Sequence, residues 1–282
     1  MIGRLVVLVI IFCCYANSTL SATGPKVTHA YGLNANQILD SYSPPGSGHP
    51  ILIYTHGGSW HLGSKNNQVD NKKQGLIGSR DYVLVSVEYR KGFETNWQGQ
   101  ANDIASAINW VYLNAAAIGG DTRNIFVMGH SSGAHMTALV SMDDCFGVRE
   151  KVKGIVLLDS GNYDVVDGYN ACTGVSCDAY GPFWDNYNLT SMENGSPVTH
   201  ADDNTVAPTI LIHRNTLYKL NQANLLNSAI HAGGQTVVEQ HGTNDSHEAI
   251  NTNIGAVGYS YSTQVSNFLD GLVVDTPVPP GC

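Results

Sequence analysis

Residues 125–133 read Ile-Phe-Val-Met-Gly-His-Ser-Ser-Gly and place a Gly-x-Ser-x-Gly pattern directly after an apolar run. Residues 134–142 suit a helix, so this stretch predicts a strand, a tight turn and a helix in succession. Gly129 and Gly133 would let strand and helix approach where side chains would clash. The turn forces Ser131 into strained backbone angles and lifts its hydroxyl above the sheet, so Ser131 is the candidate nucleophile. The alternative is a glycine-rich turn without chemistry.

Other apolar runs along the chain predict a layered fold around this turn. Strands are predicted at 51–54, 82–87, 125–128, 155–158, 209–213 and 236–239, and a one-sided helix at 102–115. Such alternation is typical of an α/β fold with a mostly parallel central sheet and helices on both faces. Segment 161–206 has weak periodicity and predicts a loop or small cap. We therefore expect residues 19–282 to form one domain with an insertion at about 161–206.

A second glycine-containing motif, His56-Gly57-Gly58-Ser59-Trp60, follows the strand predicted at 51–54. Glycine lets the backbone approach a substrate closely with free N–H groups. We predict that the backbone N–H groups of Gly58, Ser59 and Ser132 stabilise a developing oxyanion. Ser59 stands where such motifs often have a third glycine, but its N–H donor is retained. The alternative is an ordinary glycine turn.

The chain resembles the esterase/lipase family of the α/β-hydrolase fold, and within it the feruloyl-esterase-like and arylformamidase branch. The resemblance is carried by segments 56–64, 85–90, 119–121 and 129–135, and returns near His247. It implies an α/β-hydrolase that cleaves a small carboxylic ester through an acyl-enzyme on Ser131, with no metal or organic cofactor. Amidase or formamidase chemistry would use the same site and remains open.

The predicted base is a histidine near the end of the chain, because this fold orders its residues nucleophile, acid, base. His247 lies in the loop after the last predicted strand, and segment 247–251 resembles the family's histidine segment. His241 is the alternative, but it continues the strand and is better explained as structural. His56, His130 and His135 belong to motifs but lie in the wrong place for the base, so they are expected to be supporting or structural.

The acid is the weakest point of the resemblance. The family places an Asp after the fifth strand, yet here that loop reads His213-Arg214-Asn215, and residues 205–238 contain no Asp or Glu. Asp159, at the tip of the strand predicted at 155–158, is the preferred substitute. Asp164 and Asn215 remain alternatives. The missing family Asp also leaves open a catalytically impaired protein that binds a ligand.

The first 18 residues predict a signal peptide, with Arg4, an apolar run at 5–15 and small residues at 16–18. Export implies an extracellular protein, with a lysosomal or other endomembrane lumen as the alternative. The run is too short to span a bilayer comfortably, so no stable membrane insertion is expected. In an exported chain, Cys145, Cys172, Cys177 and Cys282 suggest two disulfides of open pairing, and Asn188-Leu189-Thr190 suggests a glycosylation site.

The charge excludes some partners. The formal net charge is −9 and no basic run occurs, which argues against nucleic acid and anionic membrane surfaces. The histidines lack the compact spacing of metal ligands, so no metal is expected. Protein partners and oligomeric state are left open by the sequence.

Overall fold

The central feature of the molecule is an eight-stranded sheet. A computed structural model describes residues 24–69, 81–171, 183–201, 205–235 and 238–275. Its strands lie in the order β1-β2-β4-β3-β5-β6-β7-β8. Strands β3 to β8 pair in parallel, whereas β1 and β2 add an antiparallel edge. The strands are β1 Lys26–Ala30, β2 Ile38–Tyr42, β3 His49–Thr55, β4 Val83–Val87, β5 Gly120–His130, β6 Gly154–Leu158, β7 Thr209–Arg214 and β8 Val238–Thr243. The predicted mostly parallel sheet is confirmed.

Helices cover both faces of the sheet, as predicted. They are α1 Trp97–Asn114, α2 Ser132–Met142, α3 Val165–Asn170, α4 Leu189–Asn194, α5 Leu217–Ala232, α6 His247–Asn253 and α7 Ser260–Leu272. Alternate strand residues point to opposite faces. Ile125 and Val127 join the core cluster that contains α1, α2 and α5 residues, whereas Phe126 and Met128 join the cluster that contains α6 and α7 residues.

The two antiparallel strands β1 and β2 were not predicted from the sequence. Strand β1 is almost entirely exposed and carries no apolar pattern. Strand β2 buries the charged residue Asp40, whose carboxylate accepts a hydrogen bond from Lys65 Nζ at 2.6 Å. A buried ion pair of this kind removes the hydrophobic alternation on which strand prediction depends. The predicted strand at 236–239 also differs, because β8 continues to Thr243.

The predicted insertion at 161–206 contains α3, α4 and a 3-10 turn at Pro197–Thr199 within its described parts. Phe183 and Trp184 are fully buried. Both rings pack against Trp60 of the His56–Trp60 motif, with centroid distances of 5.4 and 6.0 Å. The segment is therefore attached to the motif that was predicted to bind an oxyanion.

Several predictions lie outside the described residues. These are the signal peptide at 1–18 and the cysteines Cys172, Cys177 and Cys282. Cys145 is exposed. Asn188 is exposed, and its side chain caps α4 by accepting from the Ser191 N–H. Within the described ranges, no helix combines the length and apolarity needed to cross a membrane.

Candidate active site

Ser131 occupies a sharp turn between β5 and α2. Its backbone lies at φ 56° and ψ −124°, which a residue with a side chain rarely adopts. The Ser131 N–H donates to Leu158 O at 2.8 Å and ties the turn to the end of β6. A Cβ at Gly129 would lie 2.4 Å from Gly133 O, so this glycine is required where strand and helix cross.

Gly133→Ala is expected to destabilise the protein by about 3 kcal/mol, as overpacking against an immobile backbone does. The added Cβ would lie 2.3 Å from His56 O and 2.4 Å from Thr55 O. Urea unfolding measures the change in the free energy of unfolding. Gly271→Ala in α7 is the control, because nothing lies within 4 Å of its Cβ position. If both variants unfolded at the parental urea concentration, the close packing of the turn would be refuted.

His247 is the first residue of α6, which is capped by the Ser246 side chain. Its Nε2 lies 2.9 Å from Ser131 Oγ. The His247 ring also packs against the buried His130 ring at a centroid distance of 4.5 Å. His130 Nε2 donates to the main-chain oxygen of His247 at 3.1 Å, so the residue before Ser131 holds the backbone of His247.

Asp159 lies directly after β6 and is fully buried. Its Oδ2 is 2.6 Å from His247 Nδ1. Burial by itself raises the pKa of this carboxyl, but the His247 hydrogen bond and the charges of Lys219 and Arg214 outweigh it and lower the pKa to about 2. An ionised carboxylate can only accept, so Nδ1 carries the ring proton and Nε2 is left to accept from the Ser131 hydroxyl.

The structure therefore brings Ser131, His247 and Asp159 together, and it places the alternatives elsewhere. Asp164 caps α3 by accepting from the Asp167 N–H at 2.9 Å. The Asn215 amide donates to Asn244 Oδ1 at 3.1 Å. His241 lies on β8, with its Nε2 3.3 Å from the Glu239 carboxylate.

Arg214 and Lys219 also contact Asp159, although neither residue was predicted to have a role in the site. Arg214, the last residue of β7, binds the carboxylate. Lys219 Nζ in α5 donates to the main-chain oxygen of Asp159 at 3.0 Å. Burial lowers the pKa of Lys219 to about 8, against the raising effect of Asp159. The signal that could have revealed Arg214 was a cation standing where the family places its acid.

The loop that begins with the His56–Trp60 motif lies against Ser131. A Cβ at Gly57 would come within 2.9 Å of Ser131 Cβ. Gly58, Ser59 and Trp60 all have positive φ, at 136°, 51° and 62°. Gly58 and Ser59 line a cavity of about 250 Å³ together with Ser131 and His247. Ser132 is buried at the start of α2.

Glu88 contacts both ends of this loop, at His56 and at Lys65. Its carboxylate lies 3.3 Å from His56 Nε2 and accepts from the Lys65 N–H at 3.0 Å. The next residue, Tyr89, donates its hydroxyl to His56 O at 2.8 Å. These contacts hold the two ends of the segment from His56 to Lys65, several of whose residues line the cavity.

His135 joins the loop to the 161–206 segment. Its Nδ1 accepts from Trp60 Nε1 at 3.1 Å, and its Nε2 donates to Gly195 O at 2.8 Å. Burial lowers the pKa of His135 to about 4, against the hydrogen bond to Gly195. This ring is therefore neutral at pH 7, and its two hydrogen bonds are structural ones.

The remaining walls of the cavity are mainly polar. Asn67, Gln68, Glu248 and Asn251 line it, and Leu62 adds an apolar side chain. Among the described residues, no three His, Cys, Asp or Glu side chains are grouped in a way that could hold a metal ion. The site thus places a hydroxyl, an imidazole and a carboxylate in one hydrogen-bonded row, with an open cavity beside the hydroxyl and the imidazole.

Comparison with known proteins agrees with the architecture. The BD-FAE family model matches residues 39–252. Carboxylesterase NlhH of Mycobacterium tuberculosis (strain CDC 1551 / Oshkosh) is 34% identical over 92 residues, which are 33% of this chain and 28% of that protein. The chain thus spans less than a third of the length of this curated relative.

Solved structures extend the likeness to the whole fold. Esterase B from Lactobacillus rhamnosis has a TM-score of 0.71 at 18% identity, over 88% of this chain and 85% of that one. A truncated carbohydrate esterase from gut microbiota has a TM-score of 0.73 at 17% identity, over 90% of this chain and 98% of that one. At these identities the likeness establishes the fold, and the predicted α/β-hydrolase architecture is confirmed.

Proposed function

The chain belongs to the BD-FAE family, and we propose that it is a serine hydrolase that cleaves carboxylic esters through an acyl-enzyme on Ser131. The observation that carries the proposal is the continuous hydrogen-bonded row from Ser131 Oγ through His247 to Asp159, at 2.9 and 2.6 Å. A nucleophile, a base and an orienting carboxylate in this order are the arrangement that acyl transfer requires. The carboxylesterase and esterase names of its relatives agree with this activity.

Acylation begins when the substrate carbonyl lies over Ser131. His247 Nε2 takes the hydroxyl proton as Oγ attacks the carbonyl carbon, and the carbonyl oxygen becomes an oxyanion. Asp159 stabilises the imidazolium without taking its proton. We assign the oxyanion to the backbone N–H groups of Gly58, Ser59 and Ser132. Their positions are held by the Glu88 contacts of the loop and by the start of α2.

The tetrahedral intermediate collapses when its carbon–oxygen bond to the alcohol breaks. His247 gives its proton to the departing alkoxide oxygen, which leaves as the alcohol, and the acyl group stays on Ser131. Water then enters, loses a proton to His247 and attacks the acyl carbon. As the bond between Ser131 Oγ and the acyl carbon breaks, His247 returns its proton to Oγ and the carboxylic acid is released.

The substrate is proposed to be a small ester. A cavity of about 250 Å³ with several polar walls suits a short acyl group better than a long apolar chain. The hydrogen bond between Asp159 and His247 favours catalysis over the alternative of a binding protein, because it supplies the acid that the loop after β7 lacks. Amide substrates are the alternative; they would use the same site and differ from esters in their leaving group.

We also propose that the chain is exported and that 161–206 acts as a cap on a single domain. Export rests on residues 1–18, and the cap rests on the contacts of Phe183 and Trp184 with Trp60. Glycosylation at Asn188 depends on that export, as does disulfide pairing among Cys145, Cys172, Cys177 and Cys282.

The proposal is tested by treating the purified protein with a fluorophosphonate and with p-nitrophenyl acetate. We expect hydrolysis of the ester, and loss of that activity in step with covalent labelling of one serine. Peptide mass spectrometry should place the phosphonyl group on Ser131, because this hydroxyl alone is hydrogen-bonded to His247 Nε2 among the contacts of the described residues. Label on another serine, or a folded protein that neither hydrolyses nor reacts, would refute the proposal.

A further inference from the structure

Arg214 binds the Asp159 carboxylate from the neighbouring strand. Its side-chain Nε donates to Asp159 Oδ2 at 2.7 Å, and its backbone N–H donates to Oδ1 at 2.9 Å. Asp159 follows β6 and Arg214 ends β7, and the two strands are paired side by side. Both oxygens of the carboxylate are therefore held by one residue, which prevents the group from rotating.

The oxygen held by the guanidinium is the one that faces the base. Asp159 Oδ2 accepts from Arg214 Nε at 2.7 Å and from His247 Nδ1 at 2.6 Å. Any rotation of the carboxylate that lengthens one of these contacts disturbs the other. The position of Arg214 consequently fixes where the acceptor for the His247 proton lies.

The main chain of Asp159 is held as well. Asp159 has φ 50°, a left-handed conformation that costs energy for a residue with a side chain. Lys219 Nζ donates to its carbonyl oxygen at 3.0 Å, and the Lys219 side chain is buried. Two cations from β7 and α5 thus hold one acid, and Arg214 is the one that touches its carboxylate.

We propose that Arg214 is a positioning residue, which orients the Asp159 carboxylate toward His247 from the strand end where the resembled family carries the acid itself. The inference rests on the proposed function, since it assigns a role within that site. Arg214 is not among the described residues that line the cavity, so it acts through Asp159 rather than on the substrate.

The test is the kinetics of Arg214→Gln on p-nitrophenyl acetate. We expect kcat to fall by about 10-fold or more, as the loss of a hydrogen bond to a charged group does. KM should stay at the parental value, and the proton resonance of His247 Nδ1 should shift, because the guanidinium no longer holds its acceptor, Asp159 Oδ2. Titration of the competent sites with the fluorophosphonate normalises kcat, so partial misfolding does not imitate the effect.

Two further variants separate charge, geometry and folding. Arg214→Lys keeps the charge without the guanidinium fork, so it should recover part of kcat. Arg123→Gln is the matched control, because Arg123 binds Asp121 through the same backbone and Nε groups, at 2.9 and 3.1 Å, away from the site. This control should have parental kinetics.

Three outcomes decide the question. An unchanged kcat in Arg214→Gln would overturn the positioning role and leave the proposed function standing. Equal losses of kcat in both Arg214 variants, with the proton resonance of His247 Nδ1 unmoved in both, would reduce Arg214 to a structural residue. If the parent does not hydrolyse esters at all, the proposed function fails, but the proton resonance of His247 Nδ1 still decides the inference. That resonance should shift in Arg214→Gln and stay in place in Arg123→Gln.

Discussion

Replacing Ser131 by alanine is expected to lower kcat for p-nitrophenyl acetate by roughly 10⁶-fold, the size of loss that follows removal of a serine nucleophile. The Ser131 hydroxyl is the group that His247 Nε2 contacts at 2.9 Å, and no acyl-enzyme can form without it. KM should change little, because the walls of the cavity are retained. Steady-state kinetics on the purified variant measure both constants.

Ser228→Ala supplies the matched control for this loss. Ser228 is exposed on α5, so removal of its hydroxyl should leave kcat at the parental value. The Ser131 variant should also lose fluorophosphonate labelling while its unfolding curve stays close to that of the parent. A Ser131→Ala protein that labels and hydrolyses as well as the parent would show that the nucleophile is another residue.

Asp159→Asn is expected to lower kcat by about 10⁴-fold, because an amide cannot hold the base in the required tautomer. The carboxylate accepts from His247 Nδ1 at 2.6 Å and leaves Nε2 free to take the serine proton. An amide nitrogen at this position would donate to Nδ1 and force the ring proton onto Nε2. Since the pKa of Asp159 is about 2, the parent keeps its carboxylate ionised throughout a profile from pH 5 to 9.

Two controls separate this effect from the loss of an ion pair. Asp121→Asn removes a similar carboxylate from Arg123 at a distance from the site, and it should leave kcat unchanged. Asp164→Asn keeps an efficient helix cap at the start of α3, so it should also be as active as the parent. A large loss of kcat in Asp164→Asn together with a small loss in Asp159→Asn would show that Asp164 is the acid.

Acid stability should depend on the same carboxyl. Its pKa is lower in the folded protein than in the unfolded chain, so its contribution to stability is fully present above the unfolded pKa and is lost as pH falls toward about 2. The hydrogen bonds from His247 and Arg214 lower this pKa in the folded protein, and the unfolded chain lacks them.

Local patterns were enough to predict the central strands and the turn at Ser131. Strands β3 to β7 each contain an apolar run, and Gly129 and Gly133 mark a backbone crossing that excludes side chains. Strands β1 and β2 were missed because their stability comes from partners distant in sequence, such as Lys65 for Asp40. His247 could be preferred to His241 because a side chain in the loop after the last strand can reach Ser131 above the sheet. A side chain within the strand is less able to do so.

The amino-acid sequence by itself determined the turn at Ser131 and the central strands β3 to β7, because both follow from contacts between neighbouring residues. Only the tertiary structure shows which of Asp159, Asp164 and Asn215 contacts His247. The contact joins Asp159 to an imidazole 88 positions away, and Arg214 holds the same carboxylate from the neighbouring strand. Distances of this kind are set by the packing of β6, β7 and α6, which no local pattern encodes.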